Sequence, residues 1–215
     1  MALSHFLKLN PEKQADILQA ALDEFIDYGY DLASTNRIVE RARIAKGTLF
    51  KYFSSKEELF VYLCDSFLDV VKTEVYREDE KAPEGLFEFL KNISMRKMAL
   101  KSRYPKEFAL MTQIVSHSNH PVYRNLLKDY TTQGMKIYEQ IIRKVNTSNL
   151  RPGVTPEEAF RLVGWVLKGL EDYIFQQLDG KEYSEEFEKE MYDEFDRACE
   201  LLKYGLYNPQ PVVAL

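Results

Sequence analysis

The sequence predicts an all-α protein of about nine helices. Apolar residues recur with the 3.6-residue period of an amphipathic helix through most of the chain, and no segment alternates in the manner of a half-buried strand. Signals that start and stop helices separate these periodic segments. The 215 residues are 45% hydrophobic and 29% charged, which is typical of a soluble globular protein with a substantial core.

Three helices are predicted before residue 54. The first begins with an asparagine cap followed by a proline, a pair that favours a helix start. The next two are short and joined by about three or four residues. His5 precedes all three and is expected in a mobile N-terminal tail. The predicted helices run from Asn10–Pro11 to Gly29, from Ser34 or Thr35 to Ala42, and over 46–53.

Six further helices are predicted after residue 54. Two of them begin with the spacing of a capping box, in which a serine or threonine is followed by glutamate three residues later. These boxes are Ser55 with Glu58 and Thr155 with Glu158. The predicted starts are Ser55, Pro83, Pro105, Asn119, Thr155 and Ser184.

A local excess of positive charge lies over residues 34–56. Six basic residues and one acidic residue, Glu40, give this stretch a net charge of +5, whereas the whole chain carries −5. A positive patch on an acidic protein indicates a polyanionic partner. The acidic residues concentrate over 179–200, which is interpreted as a solvated helix face. The six basic residues are Arg37, Arg41, Arg43, Lys46, Lys51 and Lys56.

Two short helices, the second carrying polar and basic side chains, are typical of a helix-turn-helix motif. Leu49 and Phe53 are four residues apart and are expected to anchor the second helix from its inner face. Phe50 and Tyr52 then lie on or near the outer face, where an aromatic ring can touch a thymine methyl group. The alternative is a short basic helix in an ordinary helical bundle.

Residues 11–60 resemble the DNA-binding domain of the tetracycline-repressor (TetR) family. The resemblance implies a helix-turn-helix domain over 1–54 and a helical effector-binding and dimerisation domain over 55–215. It also implies a homodimer formed through the helices near 155–178 and 184–206. The matching stretches are 17–21, Phe25, 29–30, Thr35, 38–42, 45–53 and 55–60.

The resemblance implies a set of DNA-contacting residues in this chain. Thr48 is expected to read bases first, followed by Phe50 and Lys51. Lys46, Tyr52 and Lys56 are expected mostly to hold phosphates. The implied contacts are Thr35, Arg37, Lys46, Gly47, Thr48, Phe50, Lys51, Tyr52 and Lys56.

Two positions depart from the family pattern. Val39 stands where family members often have the smaller alanine, which would set the two helices slightly further apart. Arg43 stands in the turn where family members often have glycine. If its φ is positive, a residue other than glycine costs roughly 1 kcal/mol there. Arg43 also adds a positive charge beside the DNA-facing helix.

Large apolar and phenolic side chains in the remainder of the chain could line a cavity for a small ligand. The alternative for each of them is ordinary core packing. The predicted ligand-binding residues are Met95, Met98, Phe108, Met111, Tyr123, Tyr130, Tyr138 and Trp165.

The sequence and the resemblance together predict a DNA-binding transcriptional regulator. The expected form is a dimeric repressor that a small apolar or amphipathic ligand releases from a palindromic operator. The first alternative is a helix-turn-helix regulator that is controlled by a protein partner or has no effector. A more remote alternative is an all-α enzyme, although the sequence contains no nucleophile motif or phosphate-binding loop.

No catalytic residue, metal or cofactor is predicted. His117 and His120 straddle a helix break and are expected to have loop or capping roles. Cys64 and Cys199 are expected to be reduced, buried thiols. Because the sequence has no long apolar run and no signal peptide, a cytoplasmic location without a membrane partner is predicted.

Overall fold

The computed structural model describes residues 2–77, 85–177 and 184–205, which are mainly helical with no strand among them. The predicted all-α fold is confirmed, with ten α-helices in the described residues and a π-helical turn, Lys72–Tyr76, after the fifth. The helices are α1 (Ala2–Phe6), α2 (Pro11–Leu32), α3 (Thr35–Arg41), α4 (Lys46–Tyr52), α5 (Lys56–Val71), α6 (Leu86–Arg103), α7 (Pro105–Ser116), α8 (Pro121–Lys144), α9 (Pro156–Gln177) and α10 (Glu185–Tyr204).

Helix α1 is the element that the sequence interpretation missed. Phe6 is completely buried, and its ring centroid lies 5.0 Å from that of Phe53 and 5.9 Å from that of Tyr52. The expectation of a mobile tail around His5 is therefore wrong. A five-residue helix is too short to show a helical period, and the interaction that fixes it comes from aromatic rings distant in sequence.

The predicted helix starts at Asn10–Pro11, Ser55, Pro105, Thr155 and Ser184 are confirmed, whereas α8 begins at Pro121, two residues after the predicted cap Asn119. The Asn10 side chain accepts a hydrogen bond from the backbone N–H of Glu12 at 2.8 Å. Thr155 and Glu158 form a reciprocal capping box. The side chain of each residue accepts a hydrogen bond from the backbone N–H of the other residue. The start predicted at Pro83 lies outside the described residues.

The long helical stretch of α2 ends where it was predicted to end. The backbone leaves helical geometry at Gly29, where φ is 68° and ψ is 171°, and a last short turn follows to Leu32. Glycine adopts this left-handed region without the steric cost that a Cβ atom imposes. Gly29 therefore ends the long helical stretch of α2, as predicted, and separates it from the last turn.

The chain forms two compact units, each with its own core. The first unit contains the described residues up to Glu74 and the segment Arg103–Met135; the second contains Val75–Ser102 and the described residues from Lys136 onward. Cys64 is buried in the first core and Cys199 in the second, and burial raises the pKa of both thiols. The predicted functional boundary between residues 54 and 55 stays a prediction.

Within the described residues, no helix is both long and apolar enough to cross a membrane.

Candidate nucleic-acid interface

Helices α3 and α4 form a helix pair joined by residues 42–45. Leu49 and Phe53 are each about 1% exposed, so the prediction that they anchor α4 is confirmed. Ile38 and Val39 bury the facing side of α3 in the same core. Helices of seven residues are unstable in isolation, so packing on this core holds α3 and α4 in place.

The turn between the two helices is a Schellman motif centred on Arg43. The Arg43 N–H donates to the Glu40 carbonyl, and the Ile44 N–H donates to the Val39 carbonyl at 3.0 Å. Arg43 itself has φ 53°, in the left-handed region where glycine is usual. Because its φ is positive, Arg43 carries the cost of roughly 1 kcal/mol that was expected for a residue other than glycine at this position.

A buried carboxylate ties the start of α3 to α2. Glu24 is completely buried, and its Oε1 atom accepts hydrogen bonds from the Ser34 backbone N–H and from Arg37 Nε, both at 2.8 Å. Burial raises the pKa of the Glu24 carboxyl. The hydrogen bonds from Arg37 and Ser34, with the charges of Arg37 and Arg41, outweigh burial and hold that pKa below its usual value.

The sequence interpretation missed this role of Glu24. A signal was available, since Glu24 falls on the apolar stripe of α2 that also carries Ile17 and Ala21. A carboxylate on a core-facing stripe needs a partner, and buried carboxylates are rare without one. What the sequence does not show is that the partner, Arg37, lies on another helix.

Arg37 is engaged by the protein on several sides. Besides Glu24, its guanidinium donates to the Leu32 carbonyl at 2.9 Å and lies 4.1 Å from the centroid of the Tyr28 ring. The DNA contact assigned to Arg37 stays a prediction. In this structure its evident task is to orient α3 and therefore Thr35, which is the first residue of that helix and half-buried.

The outer side of α4 carries the other predicted contacts. Lys46, Gly47 and Lys51 are exposed, and Phe50 is 40% exposed. No carboxylate in the described part of the chain pairs with either lysine. Their positive charges are therefore available to a partner.

Thr48 and Tyr52 are less open to solvent than their neighbours on α4. Both are half-buried, and the Tyr52 ring packs edge-on against Phe6 of α1. Each retains a hydroxyl group that can donate to or accept from a phosphate or a base edge. Their assignment as DNA contacts stays a prediction.

Gly47 is not required by the fold. Its backbone is not in the left-handed region, and a Cβ atom added there would have no neighbour within 4 Å. Since alanine has a higher helix propensity than glycine, alanine at this second position of α4 would make the folded protein at least as stable. The absence of a side chain leaves the N-terminal end of α4 open to close approach by another molecule.

Lys56 lies at the first position of α5, and its ammonium group is held by the protein. The Nζ atom donates to the carbonyls of Tyr30, Asp31 and Ala33 at 2.6, 3.1 and 3.1 Å. It also lies 4.6 Å from the Tyr30 ring centroid. Lys56 thus joins α5 to the end of α2, and its phosphate contact stays a prediction.

Two residues that follow α7 in the chain, His120 and Tyr123, contact the end of α2 near Tyr30 and Asp31. The Tyr123 hydroxyl accepts the Tyr30 N–H at 3.0 Å, and His120 Nε2 lies 3.1 Å from Asp31 Oδ1. His117 places Nδ1 2.9 Å from the Gln113 carbonyl at the end of α7, which confirms the capping role predicted for it. No group of three or more potential metal ligands occurs among the described residues.

The predicted ligand residues are distributed over both units. Phe108, Met111, Tyr123 and Tyr130 belong to the first unit, where the Tyr130 hydroxyl donates to Asp65 at 3.0 Å. Their assignment to a ligand cavity stays a prediction.

The remaining predicted ligand residues lie in the second unit. Met95 and Met98 are buried in its core, whereas Trp165 is 67% exposed on α9. The side chain of Tyr138 lies outside the described residues. A cavity of about 670 Å³ in this unit is lined by other residues.

The two short helices, their tight turn and the basic outer side of α4 define a helix-turn-helix module of the kind used by transcription regulators. Residues 17–63 match the family model described as bacterial regulatory proteins of the tetR family. This segment of the chain, which contains α3 and α4, is therefore similar to the DNA-binding domains of that family.

Curated proteins match part of the chain. The chain is 23% identical over 134 residues to the uncharacterised regulator YhgD of Bacillus subtilis, covering 62% of this chain and 61% of YhgD. It is 30% identical over 96 residues to the regulator RutR of Escherichia coli K12, covering 44% of this chain and 43% of RutR. The matches thus span less than two thirds of these relatives.

The fold agrees over nearly the full length with a solved structure. The transcriptional regulator FadR of Bacillus subtilis, in complex with stearoyl-CoA, superposes with a TM-score of 0.62 at 17% identity, covering 90% of this chain and 99% of FadR. At this identity the likeness establishes the fold alone.

Proposed function

We propose that this protein is a cytoplasmic, dimeric transcriptional repressor that binds a palindromic operator through α4 and is released by a small ligand. The observation that carries the proposal is the outer side of α4. It combines the positive charges of Lys46 and Lys51, with which no carboxylate of the described residues pairs, and a glycine, Gly47, that neither backbone geometry nor packing requires. Both features favour the close approach of a phosphate.

Within this interface the side chains divide by task. Lys46 reaches a phosphate, and Gly47 lets a phosphate approach the backbone of α4. Thr48 and Lys51 meet base edges by hydrogen bonding, and the exposed ring of Phe50 contacts a thymine methyl group. Thr35, Arg37, Tyr52 and Lys56 complete the proposed contact set, with Arg37 and Lys56 acting mainly through the positions of α3 and α5.

Dimerisation is proposed through α9 and α10. Large apolar side chains are exposed on these helices, among them Trp165, Tyr173 and Tyr192. Exposed apolar surface of this kind favours burial against a partner. A two-fold dimer presents two copies of α4 and so reads two half-sites of an inverted repeat.

Release by a ligand is proposed by analogy with regulators of the same fold. FadR of Bacillus subtilis was solved with stearoyl-CoA bound. In the proposed mechanism, a ligand of this chain favours a conformation in which the two α4 helices no longer match consecutive major grooves. It can do so only if it binds that conformation more tightly than the DNA-bound one.

The test is selection of binding sites from a random duplex DNA library by the purified full chain. We expect an inverted repeat to emerge and its affinity to fall steeply with salt. Lys46→Gln with Lys51→Gln should abolish the selection. The matched control is Lys128→Gln with Lys136→Gln, which removes the same charge from exposed positions on α8. Recovery of no sequence by a folded protein would contradict the proposal.

The oligomeric state is tested separately by sedimentation. We expect a dimer for the wild-type chain and a shift toward monomer for Trp165→Glu, because the charge would be buried in the proposed interface. A wild-type monomer at concentrations that bind the operator would contradict the dimer proposal.

A further inference from the structure

A cavity of about 670 Å³ lies in the second unit, at the start of α6, the connection between α8 and α9, the first turns of α9 and the end of α10. Its volume falls within the range of small-molecule sites, which is roughly 300 to 1,000 Å³. None of the residues predicted from the sequence as ligand contacts lines it.

The inner wall of this cavity is apolar. Leu86, Ala159 and Val163 are buried there and belong to the second core. Leu162 and Val154 continue the apolar wall toward solvent, and Leu162 remains 54% exposed. An aliphatic wall of this kind is suited to a hydrocarbon group, which gains affinity with each methylene removed from water.

The mouth of the cavity carries more positive than negative charge. Arg151 and Lys203 line it, together with one acidic residue, Glu88. Lys203 Nζ lies 5.3 Å from the centroid of the Phe87 ring, which keeps the ammonium group beside the apolar wall. No carboxylate of the described chain pairs with Arg151. Amide groups of Asn146 and Asn149 add hydrogen-bonding capacity.

We propose that this cavity binds an amphipathic anion, a hydrocarbon chain that ends in a carboxylate. The chain would lie along the wall formed by Leu86, Leu162 and Val163, and the carboxylate would reach Arg151 and Lys203. Arg151 suits this task because its guanidinium can bind a carboxylate through two parallel hydrogen bonds. The inference rests on the proposed function, since it names the chemistry of the ligand and the place where it binds.

The test is calorimetric titration of the full chain with hexanoate, octanoate and decanoate below their micelle concentrations. We expect affinity to rise by about fourfold for each methylene added. 1-Decanol, which has the same chain without the charge, should bind at least tenfold more weakly than decanoate. Equal affinities along the series, or no binding of decanoate, would overturn the proposal.

Charge variants locate the site. Arg151→Gln with Lys203→Gln should weaken decanoate binding at least tenfold and leave decanol binding unchanged. The matched control is Lys189→Gln with Arg197→Gln on α10, which removes two positive charges that do not line the cavity. If the control pair weakens decanoate as much as the cavity pair, the site assignment is wrong.

Operator binding without ligand is measured on the same samples. Specific DNA binding without decanoate binding would overturn this inference and leave the regulator proposal intact. Decanoate binding that depends on Arg151 and Lys203, without specific DNA binding, would support the site and contradict the regulator proposal. The two failures are therefore distinguishable.

Discussion

The ammonium nitrogen of Lys56 lies 2.6 Å from the carbonyl oxygen of Tyr30, at the end of the helix that precedes the helix-turn-helix pair. The carbonyls of Asp31 and Ala33 take the two remaining N–H donors. Since an ammonium group has three donors, the protein satisfies Lys56 completely. A residue predicted to meet a phosphate is thus also a structural tie between α2 and α5.

The first prediction concerns the stability that this tie provides. Lys56→Met keeps most of the aliphatic stem and removes the donors, leaving three carbonyls without their protein partner. We expect the free energy of unfolding to fall by about 1–3 kcal/mol, measured by urea denaturation. Lys51→Met is the matched control, because Lys51 is exposed and should change stability by less than about 0.5 kcal/mol.

The Lys56→Met variant also tests the predicted phosphate contact separately from the structural tie. A phosphate contact contributes to the slope of log affinity against log salt, so its loss reduces that slope by about 1 for every DNA sequence. An unchanged slope in the folded Lys56→Met variant would contradict the phosphate contact. An unchanged unfolding free energy would contradict the structural tie.

The second prediction concerns Gly47. Gly47→Ala adds a methyl group that meets nothing in the protein and improves helix propensity. We expect stability to stay the same or rise by up to about 1 kcal/mol while operator affinity falls at least tenfold, measured by fluorescence anisotropy with a labelled duplex.

Gly134→Ala on α8 is the control for Gly47→Ala, since a Cβ atom there is also without neighbours. It should leave operator affinity unchanged. A Gly47→Ala protein that binds DNA as tightly as the wild type would exclude close phosphate approach at this helix end.

The third prediction concerns Arg43, whose φ of 53° is unfavourable for a residue with a Cβ atom. Arg43→Gly should raise the free energy of unfolding by about 1 kcal/mol or less, because the gain in the turn exceeds the entropy cost of glycine in the unfolded chain. Arg43→Asn removes the same charge and tolerates the left-handed region, so it is the control for operator affinity. A destabilised Arg43→Gly protein would contradict this account of the turn.

The fourth prediction is a pH dependence that arises from Glu24. Its pKa lies below the usual value in the folded protein, so the folded state favours the carboxylate. The corresponding stability is complete above the unfolded pKa of about 4.3 and is lost as pH falls through the lower, folded pKa. We expect Glu24→Gln to cost about 1–3 kcal/mol at pH 7, because Arg37 and the Ser34 N–H lose a charged acceptor.

The pH profile distinguishes this effect from simple loss of packing. The difference in unfolding free energy between wild type and Glu24→Gln should stay constant from pH 8 to about 5 and shrink below about 4. Glu40→Gln, at an exposed position of α3, is the control and should show a much smaller difference. A difference that stays constant to pH 3 would contradict the role of the charge.

Local signals explain what the sequence predicted well. The caps at Asn10 and Thr155 act within three residues, so their chemistry can be read directly from neighbouring positions. The inward-facing pair Leu49 and Phe53 follows from helical spacing alone. The positive φ of Arg43 could be suspected only because the residues around it resemble a known family.

Contacts between distant residues explain what the sequence did not predict. Phe6 is fixed by rings that lie more than forty residues away, and Lys56 reaches carbonyls 23 to 26 residues earlier. The cavity of the second unit brings together Leu86, Arg151 and Lys203. No periodic pattern connects such positions, because only the packing of several helices makes them neighbours.

The two buried cysteines give each core its own chemical reporter. Cys64 and Cys199 are sequestered in different units, and a thiol reacts only when its core opens. Labelling rates at the two sulfur atoms, separated by peptide mass spectrometry, therefore measure the opening free energy of each unit in one sample of unmodified protein. A small molecule that occupies the second unit should slow alkylation of Cys199, which gives a route to finding ligands without knowing the operator.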